Sequence, residues 1–307
     1  MNSDAEKAWA SLVTKSSYLP GLFTLDYSLK RVGSKFPLIA LYTDALPKDG
    51  HQALDIRGIR KQRVEYVLPS KAKDFSHSDP RFVDTWTKLS VFGISGFERV
   101  VLLDADMIVR QNMDELMDIP LDNAGMKGQG NRVFAASHAC ACNPLKKEHY
   151  PKTWIPENCA FTSQHDDPER AQIEGAPSSA GVAMLNSGLL VVIPSPYVHE
   201  KIREAMLDEG IANYNFPDQE LLSEAFKGRW VPLPYIYNAL KTLRAPEVHG
   251  KIWRDDKVKI VHYILSPKPW EIKSRDDVVE ETVSWWWDMN DERVREEKKL
   301  GIVDEFQ

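Results

Sequence analysis

Apolar residues along this chain come in short blocks separated by polar, Pro- or Gly-containing breaks. Residues 8–14 (Ala-Trp-Ala-Ser-Leu-Val-Thr) form a nearly unbroken apolar run that opens at Thr14-Lys15-Ser16-Ser17, which predicts a strand running into a loop. After Pro20-Gly21, apolar positions at Leu22, Phe23, Leu25, Leu29 and Val32 have the spacing of a helix. A strand over 36–42, a turn at 47–50, a short helix over 54–58 and a strand over 63–68 closed by Pro69 follow. Residues 71–81, charged and carrying Pro80, read as loop. Residues 83–92 read as a helix with Trp86, Leu89 and Phe92 on one face and Lys88 beside them, and 112–117 as a short helix. Strands alternating with helices predict βαβ units and a mostly parallel sheet.

The stretch 99–109 (Arg-Val-Val-Leu-Leu-Asp-Ala-Asp-Met-Ile-Val) stands apart, because two apolar runs flank an Asp-Ala-Asp. A short run rich in Val and Leu suits a strand covered on both faces. Carboxylates ending such a strand need a partner or a cation if they are buried. Spaced i, i+2, Asp104 and Asp106 point to the same side of an extended segment. Such a pair of hard oxygen donors suits Mg²⁺ or Mn²⁺ shared with a substrate phosphate. In parallel sheets ligands sit beyond the C-terminal strand ends, where both Asp104/Asp106 and the 14–18 loop fall.

Further along, residues 120–180 are rich in Pro, Gly, Cys and charge, with 133–136 their one apolar run, and read as an insertion around an acceptor site. In 183–193, Asn186-Ser187-Gly188 interrupts an apolar strand, marking a bulge or close backbone approach by a ligand. Helices are predicted over 197–209 and from Asp218-Gln219 through 226, and 231–234 is an edge or loop segment. A late strand, 257–263, ends at His262 and leads to the rigid, basic Ser266-Pro267-Lys268-Pro269-Trp270. Residues 277–299 form a charged helix with Trp285, Trp286 and Trp287, a tail that packs back as a lid or offers a partner surface. A neutral imidazole at a strand end suits Mn²⁺-like ions. Asp104, Asp106 and His262 therefore make a candidate metal site, with Lys88 and Lys268 placed to neutralise a departing diphosphate.

Composition narrows the class. The 307 residues suffice for one large α/β domain. Division into a catalytic domain over 1–275 and a helical tail over 276–307 is expected. With 43% hydrophobic and 27% charged residues the chain is globular in type, and a net charge of −6 offers no bulk attraction for nucleic acid. No apolar run approaches the roughly 20 residues of a membrane span. The acidic start, Met1-Asn2-Ser3-Asp4-Ala5-Glu6, lacks a signal-peptide core, so a cytoplasmic location is expected. Oligomeric state stays open, with a homodimer as the partner to test. Three cysteines, Cys140, Cys142 and Cys159, sit near His138 and His149. Their spacing fits no common zinc pattern, so they are read as buried or semi-buried thiols.

Several of these segments together resemble the family 8 retaining glycosyltransferases, in the branch that holds glycogenin and plant galactinol synthase. The anchors, in order, are Leu12-Val13-Thr14 with Tyr18, Thr87-Lys88-Leu89, Asp104-Ala105-Asp106, Asn186-Ser187-Gly188, Asp218-Gln219, Leu233-Pro234-Tyr235-Ile236-Tyr237-Asn238, and Val261-His262-Tyr263 with Lys268-Pro269-Trp270. The resemblance implies a Rossmann-like GT-A fold and Mn²⁺-dependent transfer from a UDP-sugar with retention, with Mg²⁺ as the other candidate ion. It implies that Leu12, Thr14 and Tyr18 hold uracil and ribose, with the Ala105 backbone near the ribose. It places Asp104, Asp106 and His262 on the metal, and Lys88 and Lys268 on diphosphate or sugar. Asn186, Ser187, Asp218 and Gln219 would face the donor sugar at the Gly188 strand. Asp218 or Gln219 would lie nearest the reacting carbon, so Asp218, Gln219 and Lys88 are the candidate catalytic residues.

Departures from the family pattern are specific. Lys15 stands where glycogenin has Asn, Asn215 replaces an Asp, and Leu265 takes the place of a Gly between His262 and Lys268. An expected Arg falls at Asp79, leaving Arg81 to supply that charge. Residues 239–244 (Ala-Leu-Lys-Thr-Leu-Arg) lack the tyrosine on which glycogenin builds its own primer, which argues against self-glucosylation. The C-terminal part, with its Trp286-Trp287-Asp288, is closer to galactinol synthase. The leading expectation is transfer of a hexose to a small polyol such as myo-inositol. The competing readings are transfer from UDP-glucose or UDP-N-acetylglucosamine to a glycan or protein, a catalytically silent nucleotide-sugar-binding protein and, last, a zinc-binding interaction module.

Overall fold

A computed structural model describes residues 6–70, 72 and 84–306. Arg81, residue 83 and almost all of the 71–81 loop lie outside the described residues, as does the start of the chain. In chain order the strands are β1 (Glu6–Val13), β2 (Leu38–Tyr42), β3 (Arg60–Arg63), β4 (Phe97–Leu103), β5 (Met107–Val109), β6 (Phe134–His138), β7 (Leu185–Val192), β8 (Val231–Pro232), β9 (Ala239–Leu240) and β10 (Ile260–His262). The α-helices are α1 (Leu19–Arg31), α2 (Lys48–Ile56), α3 (Pro196–Ala205), α4 (Pro217–Ala225) and α5 (Glu281–Lys299).

Seven strands form the main sheet in the order β3-β2-β1-β4-β7-β6-β8, and β5-β10-β9 form a second, small sheet. The first four strands of the large sheet run parallel, β7 runs antiparallel to both β4 and β6, and β8 is parallel to β6. Side-chain alternation explains why β1 and β4 read as unbroken apolar runs, since both faces of the sheet are covered. Trp9, Val13, Val101 and Leu103 pack with Leu22, Phe23 and Leu29 of α1. Ala8, Ala10, Val100 and Leu102 face the opposite layer, with Trp86, Val198 of α3 and Leu221 of α4. A third cluster, including Trp154, Phe216, Tyr235, Trp253, Tyr263 and Trp286, fills the space between residues 139–184 and the C-terminal part.

Several elements differ from expectation for identifiable reasons. The turn expected at 47–50 is the start of α2, because Pro47 serves as its N-cap in extended conformation. The third strand is Arg60–Arg63 and not 63–68; among the described residues it ends the sheet and pairs with β2 alone, so its polar composition carries no apolar signal. Residues 85–93 and 114–118 are 3-10 and not α-helical. Residues 134–138, expected within an insertion, are an interior strand of the main sheet, and the irregular region is shorter than 120–180. β7 runs through Asn186-Ser187-Gly188, and the expected bulge is there: Ala136 pairs with Leu190 and the next residue, Ser137, with Asn186, so residues 187–189 of β7 stand out of the β6 ladder.

The C-terminal helix α5 is fastened to the first helical layer. Thr24 donates to Asn290 at 3.0 Å, and Arg57 forms ion pairs with Glu297 at 2.8 Å and Asp304 at 2.6 Å. Arg293 pairs with Glu297 one turn on and donates to the Phe306 carbonyl. Among the described residues no helix is long and apolar enough to cross a membrane.

Candidate functional site

The Asp-Ala-Asp segment links the two sheets. Asp104 directly follows β4, and its N–H donates to the Gly188 carbonyl of β7 at 2.8 Å. Asp106 directly precedes β5, which pairs antiparallel with β10 so that Met107 faces His262. This pairing brings His262 Nε2 to 3.3 Å from Asp106 and 3.7 Å from Asp104. One donor atom from each of the three residues lies within 4.8 Å of the others.

Which imidazole nitrogen faces the carboxylates follows from the other nitrogen's partner. His262 Nδ1 lies 2.9 Å from Asn238 Oδ1. The Asn238 amide nitrogen donates to Asn186 Oδ1 at 2.8 Å, so Asn238 Oδ1 is an acceptor for the imidazole. Nδ1 therefore donates to Asn238, and Nε2 is the nitrogen turned toward the carboxylates, the outer-sphere arrangement of metal-ligating histidines. Gly188 makes room for the ring, since a Cβ there would lie 2.4 Å from His262 Cε1 and 2.9 Å from Asn186 Oδ1. Two carboxylates and an imidazole nitrogen, with the ring seated where only glycine leaves room, fit a divalent cation.

Two lysines share the carboxylates. Lys88 Nζ is 2.7 Å from Asp104 and 4.0 Å from Asp218; Lys268 Nζ pairs with Asp106 and donates to the Tyr263 carbonyl at 2.9 Å. Burial disfavours ionisation of Asp106, but Lys268 and His262 outweigh it and hold this carboxyl well below the usual range. Burial likewise opposes the Lys88 charge, and Asp104 and Asp218 overcome it, keeping the ammonium firmly protonated. Asp218 goes the other way: burial raises its pKa despite Lys88. Its Oδ2 has no hydrogen-bond partner among the described residues. Gln219 Oε1 accepts from the Asn186 amide at 2.8 Å and the Ser187 N–H at 3.3 Å, which leaves its amide nitrogen to donate elsewhere.

All these groups open onto one cavity of about 310 Å³. Leu12, Thr14, Tyr18 and Ala105 line it together with Lys88, Asp104, Asp106, His262 and Lys268. Asn186, Ser187, Asp218 and Gln219 line it too, so among the described residues the cavity gathers every expected site residue except Gly188, which packs against the His262 ring. Tyr18 is held edge-on by Trp270 at 5.7 Å, and a Cβ at Gly21 would lie 2.5 Å from the Ala105 carbonyl. Lys15 forms an ion pair with Asp84 at 3.0 Å at the rim, where Thr14 also donates to Asp84. Leu265 has a φ of +70°, the left-handed conformation that the family's Gly would adopt freely.

Residues missed from sequence complete the wall. Trp154 stacks on Phe216 at 4.5 Å, with Tyr150 edge-on at 5.0 Å from Phe216; all three line the cavity, as do Ala139 and Cys140. No local pattern announces them, because they lie in irregular segments. Asn238 could have been singled out, since it closes one of the anchor segments. His138 takes no part; its ring is bound to the carbonyls of Ala176, Pro177 and Met184.

A Rossmann-like sheet whose strand ends converge on a carboxylate–imidazole cluster is the architecture of GT-A glycosyltransferases, and comparison with solved structures agrees. The galactosyltransferase LgtC, crystallised with donor and acceptor sugar analogues, superposes with a TM-score of 0.60 over 93% of this chain and 95% of its own, at 15% identity. The glycosyltransferase GlyE of Streptococcus pneumoniae TIGR4 gives 0.59 over 97% of this chain, at 17% identity; the chain spans 66% of GlyE. The sequence profile of glycosyl transferase family 8 matches residues 10–273, and the chain belongs to that family. Among curated relatives, galactinol synthase 4 of Arabidopsis thaliana is 24% identical over 306 residues, covering 94% of this chain and 82% of its own.

Proposed function

We propose that this glycosyltransferase moves a hexose from a UDP-sugar to a hydroxyl of a small polyol, with retention at the anomeric carbon and with Mn²⁺ held by Asp104, Asp106 and His262. The observation that carries this reading is the single cavity in which those three residues, two lysines and the Asp218-Gln219 pair converge. The galactinol synthase relative, matched over 82% of its length, favours a polyol acceptor such as myo-inositol and UDP-galactose as donor.

Leu12, Thr14 and Tyr18 bind the uracil and ribose at the strand-end loop, and the Ala105 backbone lies along the ribose. When bound, the divalent cation supplies Lewis-acid stabilisation of the diphosphate leaving group. Lys88 and Lys268, both positively charged against Asp104 and Asp106, add their charge to that diphosphate. The bond from the anomeric carbon to the diphosphate oxygen breaks, and a bond to the acceptor oxygen forms on the same face. The acceptor proton passes to the departing diphosphate, so no protein nucleophile is required. Gln219, whose amide is oriented by Asn186 and Ser187, donates to the donor sugar, and Asp218 Oδ2, which accepts no hydrogen bond from the described residues, accepts one from a sugar hydroxyl. The aromatic face of Tyr150, Trp154 and Phe216 receives the acceptor ring.

The test is UDP release measured across UDP-sugars and acceptors, with and without Mn²⁺. Metal-dependent release with UDP-galactose and myo-inositol, giving a disaccharide-sized product, is expected. Release only with an oligosaccharide or protein acceptor, or release indifferent to metal, overturns the reading.

A further inference from the structure

Cys140 and Cys142 directly follow β6, Cys159 lies in the irregular region, and His249 sits in a turn after β9. The fold brings all four together. His249 Nε2 is 3.2 Å from Cys142 Sγ and 3.3 Å from Cys159 Sγ, although 107 and 90 residues of chain separate these pairs. The three sulfurs and the nitrogen all lie within 4.8 Å of one another. None of the thiols is in a disulfide, Cys159 is buried and His249 is fully buried.

We propose that these four residues form a Cys₃His site for a structural Zn²⁺, separate from the carboxylate site. The donor set is that of closed, tetrahedral zinc sites, in which bonds of about 2.3 Å to sulfur and about 2.0 Å to nitrogen put neighbouring donors roughly 3.5–3.8 Å apart. The donors are already near that spacing. The imidazole is also braced as a zinc ligand would be, because its other nitrogen, Nδ1, lies 2.9 Å from His165 Nε2. With four protein donors the site leaves no open position for substrate, so its role is architectural. Soft thiolates distinguish it from the hard oxygen site at Asp104 and Asp106, so the two sites select different ions.

The location gives the ion a task. It ties together three irregular segments, 139–142, 158–165 and 245–253, that no sheet hydrogen bonding unites. Cys140 and its neighbour Ala139 line the cavity beside Tyr150 and Trp154. Zinc thereby fixes the aromatic wall of the cavity, and the spacing that fits no common local pattern is explained by a ligand supplied from far downstream.

The test needs no substrate, so it stands or falls independently of the transfer reaction. The full chain, purified and washed with EDTA to strip weakly held ions, is analysed for metals by mass spectrometry. The expected result is about one zinc per chain, with native thiols protected from DTNB until a denaturant and a strong chelator are added together. Cys159→Ser and His249→Ala should each lower zinc content severalfold. Because either variant could fail to fold, the wild-type chain is also prepared with Co²⁺ replacing zinc. Thiolate-to-cobalt charge transfer and intense tetrahedral ligand-field bands are expected. Zinc well below stoichiometry in folded protein with DTNB-accessible thiols, iron in its place, zinc content unchanged in both variants, or a cobalt spectrum without thiolate bands each overturns the proposal.

Discussion

Replacing Lys268 with Met tests whether a lysine occupies charge space that belongs to the metal. The side chain is buried, and its ammonium pairs with Asp106 and the Tyr263 carbonyl. Methionine keeps most of the aliphatic stem but removes the charge, leaving a buried carboxylate with His262 at 3.3 Å as its remaining neighbour of the pair. Breaking a buried ion pair costs about 3–5 kcal/mol, and His262 offsets part of it, so a loss of about 3 kcal/mol is expected. At roughly 2 °C per kcal/mol for a chain of this size, the metal-free variant should melt about 6 °C lower. Mn²⁺ at a hundredfold excess over its dissociation constant restores up to about 2.7 kcal/mol. Wild type should gain less at the same Mn²⁺ concentration, because there the ion must displace Lys268 from Asp106. The pH dependence has a definite sign. Asp106 has a depressed folded pKa, so its contribution is present above the unfolded value of about 3.9 and is lost as pH falls through the folded value. The gap between wild type and variant therefore narrows below about pH 4. Thermal melts with and without Mn²⁺ measure all of this. Equal melting temperatures without metal, or equal Mn²⁺-induced shifts, would refute the reasoning.

Three further predictions concern the same cavity. Asn238→Leu removes the acceptor that fixes the His262 tautomer and should weaken Mn²⁺ activation roughly 10–100-fold, read as the Mn²⁺ concentration for half-maximal UDP release. Gly188→Ala forces the His262 ring aside, since the new carbon would lie 2.4 Å from Cε1; metal affinity should fall by at least as much, while circular dichroism stays close to wild type. Asp218→Asn should lower turnover while raising stability at neutral pH. Its raised folded pKa means the folded state binds that proton more tightly, so stability declines as pH climbs from about 3.9 through the folded value. Wild type should show an acid limb in turnover above the ordinary carboxylate range that the variant lacks, and parallel pH profiles would count against a role for Asp218.

How much of this was legible in the residues depended on how local the cause was. The strands β1, β4 and β7 announce themselves because burial on both faces gives each a run of apolar residues, and Asp104 and Asp106 stand out by ending one. His262 was legible because it ends a strand. The polar edge strand β3 was misplaced, since pairing on one side only imposes no periodicity on Arg60-Lys61-Gln62-Arg63. The aromatic wall of Tyr150, Trp154 and Phe216 was invisible because its members meet through tertiary packing of irregular segments. His249 was missed as a companion of the cysteines for the same reason, and His138, the nearer candidate by sequence, faces backbone carbonyls instead.

The pairing of β5 with β10 has a consequence for synthesis of the chain. Asp106 emerges early and the strand that delivers His262 emerges late, with Lys268 later still. A growing polypeptide therefore carries Asp104 and Asp106 through about half of the chain's synthesis without the imidazole that completes their cluster. A product truncated before β10 would hold the buried Asp106 with neither His262 nor Lys268 beside it. The three-residue cluster is thus completed only late in synthesis, and shortened products should be unstable and lack glycosyltransferase activity.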